Sequence, residues 1–375
     1  MDFIADSREM SVIEGILVLV GLNVGKKLNR SNFISRLIYV YQKFTVLWWL
    51  AFILHVIATL IPSHDINFSI VEDRLFRNSL EVNLFAAWCV IIKRRKKITI
   101  LMQGMQYLAQ TLYVKTNSSW TTFATIFIIT LFFAGSLTVT LLFPQQYCQR
   151  MLRSYSVGLI GASEVPSCKN GYIMGPIFTV PKYIFCTLVC ILYVYICRFF
   201  KKFLISHSES VLEKEQLSCK EFRDYLLRHE RIVKRVKDFE NVMSLPIFFL
   251  VMNDCLEMIF GFVDLYPFDE FSVTAWKQNL IWFNLFTSLR ALISFLCVSL
   301  AAASVASASD RAKNGQQEIL KLVHASTVQE KIELLLFIKV HDCPPLVLSA
   351  GGCIYFTNSL IFTAFCSVLT YSLLM

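Results

Sequence analysis

Seven mostly apolar stretches, each near the length a helix needs to cross a bilayer, alternate with charged segments along the chain. Five are clear: 44–61 (FTVLWWLAFILHVIATLI), 120–143, 183–200, 279 to about 308, and 351–375. Two carry charge, 75–92 with Arg77 and Glu81 and 245–265 with Asp254, Glu257 and Asp264, and charge at that depth requires polar neighbours or water within a bundle. The pattern predicts an all-α membrane protein with seven transmembrane helices. Between the fourth and fifth spans the period changes: Phe222, Leu226, Ile232, Val233, Val236, Phe239 and Met243 recur at helical spacing among charges. Residues 199–244 therefore read as an amphipathic extension running into the fifth span, with Pro246 as a kink point. After the sixth span, Ile319, Leu320, Leu322 and Val323, then Ile332, Leu335, Leu336 and Ile338, predict one or two further amphipathic helices, ended by Cys343-Pro344-Pro345.

Composition agrees with a bilayer setting. At 55% hydrophobic and 17% charged residues the chain is too apolar for a water-soluble domain, which carries about 25% charge. The net charge of +9 could point to a polyanion, so the placement of Lys and Arg decides. Of the 36, 27 fall in the N-terminal arm, around Lys93-Arg94-Arg95-Lys96-Lys97, in 198–245 and in 309–345. Only seven fall in the alternate segments, which places the N-terminus in the cytoplasm, the C-terminus outside, and nucleic acid out of consideration. The start MDFIADSREM is acidic, so no cleaved leader is expected. The glycosylation sequon at Asn67 lies in the first expected outer loop. Cys148 and Cys168 are the two cysteines in an expected outer loop, where they form a disulfide or stay as free thiols.

Candidate chemistry concentrates inside the spans. Asp254 and Glu257 share one helix face, and counting depth from opposite ends of antiparallel helices brings Arg290 to the same level. That trio reads as a structural salt bridge, or as part of a ligand pocket or a switch. Asn83, Tyr183, Phe260, Trp282, Phe283 and Asn284 add rings and amides in the outer halves of the spans, a mixture suited to a small organic ligand as well as to lipid-facing or core packing. Ser359, Thr363, Ser367 and Thr370, spaced four, four and three, fall on one face of the last helix, fit for a wet wall or for interhelical packing. No enzyme and no cofactor or metal site is expected: the six histidines form no ligand motif, and GxSxG and P-loop signatures do not occur. The intramembrane charges leave a transporter as the reading from another class, against which stands the lack of an internal repeat.

The final segment, AGGCIYFTNSLIFTAFCSVLTYSLLM, resembles the last helix of the arthropod gustatory receptors in its Ala350-Gly351-Gly352 start, in Tyr355-Phe356-Thr357, and in Thr370-Tyr371 near the outer end. The long inner helix with His229 leading into a Pro-containing fifth span is similar to the wider insect chemoreceptor superfamily, which includes odorant receptors. The resemblance implies a ligand-gated cation channel in the plasma membrane of sensory neurons, opened by a small organic tastant. It further implies a homo- or hetero-tetramer in which 346–375 lines the pore, with Ser359, Thr363, Ser367, Thr370 and Tyr371 facing monovalent and divalent cations. Residues 309–345 would form the cytoplasmic anchor, 1–43 an N-terminal arm with a short helix, and 44–308 the remaining spans and the ligand pocket, all in contact with membrane lipids. In the family the helix continues from Thr-Tyr to a Gln-Phe ending; here four residues follow Tyr371. The expectation is an altered gate, and it keeps two alternatives, an odorant-type subunit and a non-conducting accessory subunit.

Overall fold

The computed structural model describes residues 33–60, 68–112, 131, 169–212, 217–263, 275–324, 327–340, 346–357, 359–360, 362–364, 366–367 and 370. Its elements are α1 (Phe33–Leu60), α2 (Phe68–Leu112), α3 (Lys169–Leu212), β1 (Leu217–Ser218), α4 (Cys219–Val263), α5 (Ala275–Leu322), β2 (Val323–His324), α6 (Val328–Val340), β3 (Ser349–Ala350) and β4 (Ile354–Tyr355). Among the described residues, α1, α3, α4 and α5 are long and apolar enough to cross a membrane. The sequon at Asn67, the pair Cys148 and Cys168, Tyr371 and the expected span 120–143, apart from Leu131, lie outside the described residues.

The helices are longer than the spans they contain. At 45 residues α4 extends roughly 67 Å, about twice the hydrocarbon thickness, so the expected extension from Cys219 onward forms one rod with the fifth span, whereas its first part, 199–212, continues α3. It starts where a capping box forms: Glu221 N–H donates to Ser218 Oγ at 3.3 Å while Ser218 N–H donates to Glu221 Oε2 at 3.0 Å. Thr327 and Glu330 repeat the device at the start of α6, at 3.2 and 3.3 Å. The first stretch of the expected anchor, up to Leu322, is continuous with the sixth span in α5. β1 and β2 pair in parallel and tie the start of α4 to the end of α5.

Packing pairs α3 with α5, α2 with α4, and α4 with α5. The main core is aromatic at one end: Trp49, 2% exposed, stacks on Trp88 at 5.4 Å and meets Phe185 edge-on at 5.4 Å, joining α1, α2 and α3. A second, smaller core of Leu217, Phe222, Tyr225, Leu226 and Ile319 lies under the β1–β2 pair. Here His207 stacks on Tyr225 at 4.5 Å and its Nε2 lies 3.1 Å from the Tyr225 carbonyl oxygen. Burial pushes both His207 and His229 down to about 4.

Pro246 sits inside α4. Lacking an amide hydrogen, it leaves the Val242 carbonyl without its helical partner. Arg94 of α2 fills the gap: its Nη1 donates to Val242 O at 2.9 Å and to Asn241 O at 2.5 Å.

The start of the last segment differs from expectation. A helix from residue 351 is replaced by the antiparallel β3–β4 hairpin, and helical backbone appears at Ser359. The cause is local, since Gly351 and Gly352 turn with φ of 64° and 73°, a conformation that a right-handed helix excludes.

Candidate functional site

α4 and α5 run against each other so that their polar faces meet in an otherwise apolar interior. Arg290 of α5 donates through Nη2 to Asp254 Oδ1 at 3.1 Å and, through the same nitrogen, to Glu257 Oε2. Exposures of 2%, 0% and 6% put all three out of solvent reach. Asn253, one turn before Glu257, donates from Nδ2 to Glu257 Oε1 at 3.1 Å, and Ser288 Oγ donates to the Glu257 carbonyl at 3.2 Å. The Tyr183 ring of α3 lies 5.4 Å from the Arg290 guanidinium carbon, within cation–π range.

One guanidinium thus faces two carboxylates, and bonding capacity remains. Ser294 faces Asp254 as a side-chain hydrogen-bond partner, while Asn253 Oδ1 and the Nε and Nη1 of Arg290 have no hydrogen-bond partner among the described residues. Such atoms in an apolar interior favour a resident polar group or a second arrangement of the same side chains.

The structure therefore gathers Asp254, Glu257, Arg290 and Tyr183. Phe260 lies three residues beyond Glu257 on α4, half-buried, and Asn83 is half-buried on α2. Trp282 and Asn284 occupy α5 eight and six residues before Arg290. Sequence reasoning missed Asn253, whose signal was its i, i+4 spacing to Glu257, and Ser294, one turn beyond Arg290 on the same face.

The second candidate region is the last helix. Ser359, Thr363, Ser367 and Thr370 are all exposed in the single chain. Their hydroxyls form a ladder: Thr363 Oγ1 donates to Ser359 O at 3.1 Å, Ser367 Oγ to Thr363 O at 2.8 Å and Thr370 Oγ1 to Cys366 O at 2.8 Å. With each hydrogen of these three directed at the backbone four residues earlier, the oxygen lone pairs face outward. A third region is α6, whose Val328, Ile332, Leu335 and Leu336 form an exposed apolar stripe at i, i+4, i+7 and i+8.

No family model matches the sequence, and no curated protein matches it. Solved structures do. The insect olfactory receptor OR5 from Machilis hrabei superposes with a TM-score of 0.62 at 12% identity, covering 100% of this chain and 99% of the receptor. The same receptor in complex with eugenol gives 0.65 at 13% identity over the same shares. The chain has the fold of an insect olfactory receptor along its whole length.

Proposed function

We propose that the chain is a chemoreceptor subunit of the insect seven-helix superfamily, a ligand-gated, non-selective cation channel opened by a small organic molecule, and that it belongs to the gustatory branch. The full-length correspondence of fold with an insect olfactory receptor solved in complex with eugenol supports the superfamily part of this reading, and the gustatory branch rests on the resemblance of Ala350-Gly351-Gly352, Tyr355-Phe356-Thr357 and Thr370-Tyr371. In it, seven spans place the N-terminus in the cytoplasm and the C-terminus outside, the topology that the Lys and Arg distribution favours. Four subunits, identical or related, surround a pore at the plasma membrane of a sensory neuron. The exposed apolar stripe of α6 needs cover, which a neighbouring subunit provides.

In this reading the labour divides between two regions. Outward lone pairs on Thr363, Ser367 and Thr370, with Ser359 on the same face, suit a wall along which partly hydrated cations pass. Tyr183, whose ring lies against Arg290, is the candidate ligand contact at the charge cluster, and Asn83, Phe260, Trp282 and Asn284 remain candidates by sequence for further rings and amides of a pocket. Binding opens the channel only by favouring one arrangement of α4 and α5 over another, and a cluster with unpartnered donors and acceptors allows two arrangements.

Expression alone and together with related subunits tests the reading, scored by calcium entry across sugars, bitter alkaloids, pheromone-like lipids and eugenol. A ligand-dependent calcium rise is expected; silence in every combination, with the protein at the cell surface, counts against a conducting channel. The olfactory neighbour favours a second reading, an odorant-type subunit, which predicts responses to volatiles in place of sugars and alkaloids.

A further inference from the structure

Around Pro246, α4 is held from two sides. From α2, Arg94 Nη1 donates to the Asn241 carbonyl at 2.5 Å and to the Val242 carbonyl at 2.9 Å, the second being the one whose helical donor Pro246 has removed. From the other end of the sequence comes the β3–β4 hairpin. Ser349 Oγ donates to Glu240 Oε1 at 2.7 Å, Gly351 N–H donates to the Ser244 carbonyl at 2.9 Å, and Gly351 rests on Phe248 so closely that an added Cβ would lie 3.0 Å from its Cγ. Glu240, Ser244 and Phe248 are four residues apart, so they share one face of α4 and straddle Pro246. Four residues beyond β4 the last helix begins, and eight residues beyond Pro246, about 12 Å along the same rod, lies Asp254.

We infer that Arg94 is a positioning residue that sets the bend of α4 at Pro246, and that this bend is the joint through which the intramembrane charge cluster and the last helix move together. A hairpin fastened before and after the break cannot keep all of its attachments when the angle changes, because the spacing from Glu240 to Phe248 changes with it. The angle itself depends on the Val242 carbonyl that Arg94 holds, since Pro246 leaves it without a helical donor. Within Lys93-Arg94-Arg95-Lys96-Lys97, Arg94 is half-buried while its four neighbours are exposed, so its inward bonds are a task that the positive charge of the run does not explain. That the last helix is the moving wall of a pore rests on the channel reading; the mechanical link does not.

Hydrogen–deuterium exchange on the purified full chain tests the joint, comparing wild type with Arg94→Gln, Arg94→Lys, Pro246→Ala and the double variant Arg94→Gln/Pro246→Ala. Loss of a charge-assisted bond predicts about tenfold faster exchange in Arg94→Gln both at 240–248 and across the hairpin at 349–356. Arg94→Lys, which keeps the charge but not the fork, falls between and carries the comparison should the Gln variant fail to fold. Alanine at 246 returns an amide hydrogen to the Val242 carbonyl, so the double variant recovers protection in both segments. Faster exchange in α4 with an unchanged hairpin overturns the joint, as does a double variant no better protected than Arg94→Gln. The readout needs neither ligand nor current, so it stands or falls separately from the channel reading.

Discussion

Replacing Arg290 with methionine removes the single cation of the buried cluster and leaves Asp254 and Glu257, 0% and 6% exposed, facing each other. Breaking a buried ion pair from one side costs about 3–5 kcal/mol, because the desolvation of the remaining charge stays uncompensated. Two carboxylates share the loss here, so the upper end applies. Glu257→Gln acts differently: it leaves one guanidinium against one carboxylate and keeps an acceptor for Asn253, so a cost below about 1 kcal/mol is expected. A triple variant, Asp254→Asn/Glu257→Gln/Arg290→Met, removes every charge and should return to within about 1–2 kcal/mol of wild type. The assay is the thermal midpoint of the purified protein in one detergent, followed by tryptophan fluorescence and by the monodisperse fraction after heating. The predicted order of stability is Glu257→Gln, then the triple variant, then Arg290→Met. An Arg290→Met protein as stable as Glu257→Gln, or a triple variant no better than Arg290→Met, refutes a structural coupling among the three charges.

Three further outcomes follow from other parts of the fold. His207 and His229 are held neutral, each down at about 4 against an unfolded value near 6.5, so the unfolded chain binds more protons in that window and stability falls as pH drops from about 6.5 toward 4. By pH 5 the loss is about 2 kcal/mol for each histidine, read as a lower thermal midpoint than at pH 7.5 that His207→Phe/His229→Leu largely removes. Gly351→Ala combines a φ of 64° with a Cβ 3.0 Å from Phe248 Cγ and should cost about 1–3 kcal/mol, whereas Gly352→Ala, with open space around it, carries the backbone strain of about 1 kcal/mol alone. Leu336→Glu places a charge in the exposed stripe of α6, and a shift from tetramer to smaller species by light scattering, with the helical circular dichroism retained, is expected if that stripe lies between subunits.

The elements that the sequence revealed best are those set by local physics. Ser218 with Glu221 and Thr327 with Glu330 are capping boxes legible in four residues each, although they went unread as helix starts, and the two helices start there. The four, four, three spacing of the terminal hydroxyls forecast a single face, and the ladder to the carbonyls follows it. Arg290 could be matched to Asp254 and Glu257 because antiparallel spans make depth countable. What stayed hidden depends on partners far apart along the chain. Pro246 announced a break, but its remedy comes from Arg94, 148 residues before Val242, inside a basic run whose charge already had an explanation. The Ala350-Gly351-Gly352 run read as a small-residue start to a helix because composition does not show the sign of φ; the hairpin's own Cys353 to Ala350 bond and its bond to Ser244 hold the turn. Asn253 was legible by spacing and went unread because an amide in a charged helix attracts less notice than the acids around it.

The most direct measurement is the side of the membrane on which each terminus lies. Short epitopes placed before Met1 and after Met375 are probed by antibody on intact and on permeabilised cells. Seven spans with a cytoplasmic start predict that the C-terminal epitope labels intact cells while the N-terminal one labels only after permeabilisation. A C-terminal epitope that labels permeabilised cells alone contradicts the inverted seven-helix plan, and with it the placement of the Ser359, Thr363, Ser367 and Thr370 wall at the outer end of a pore.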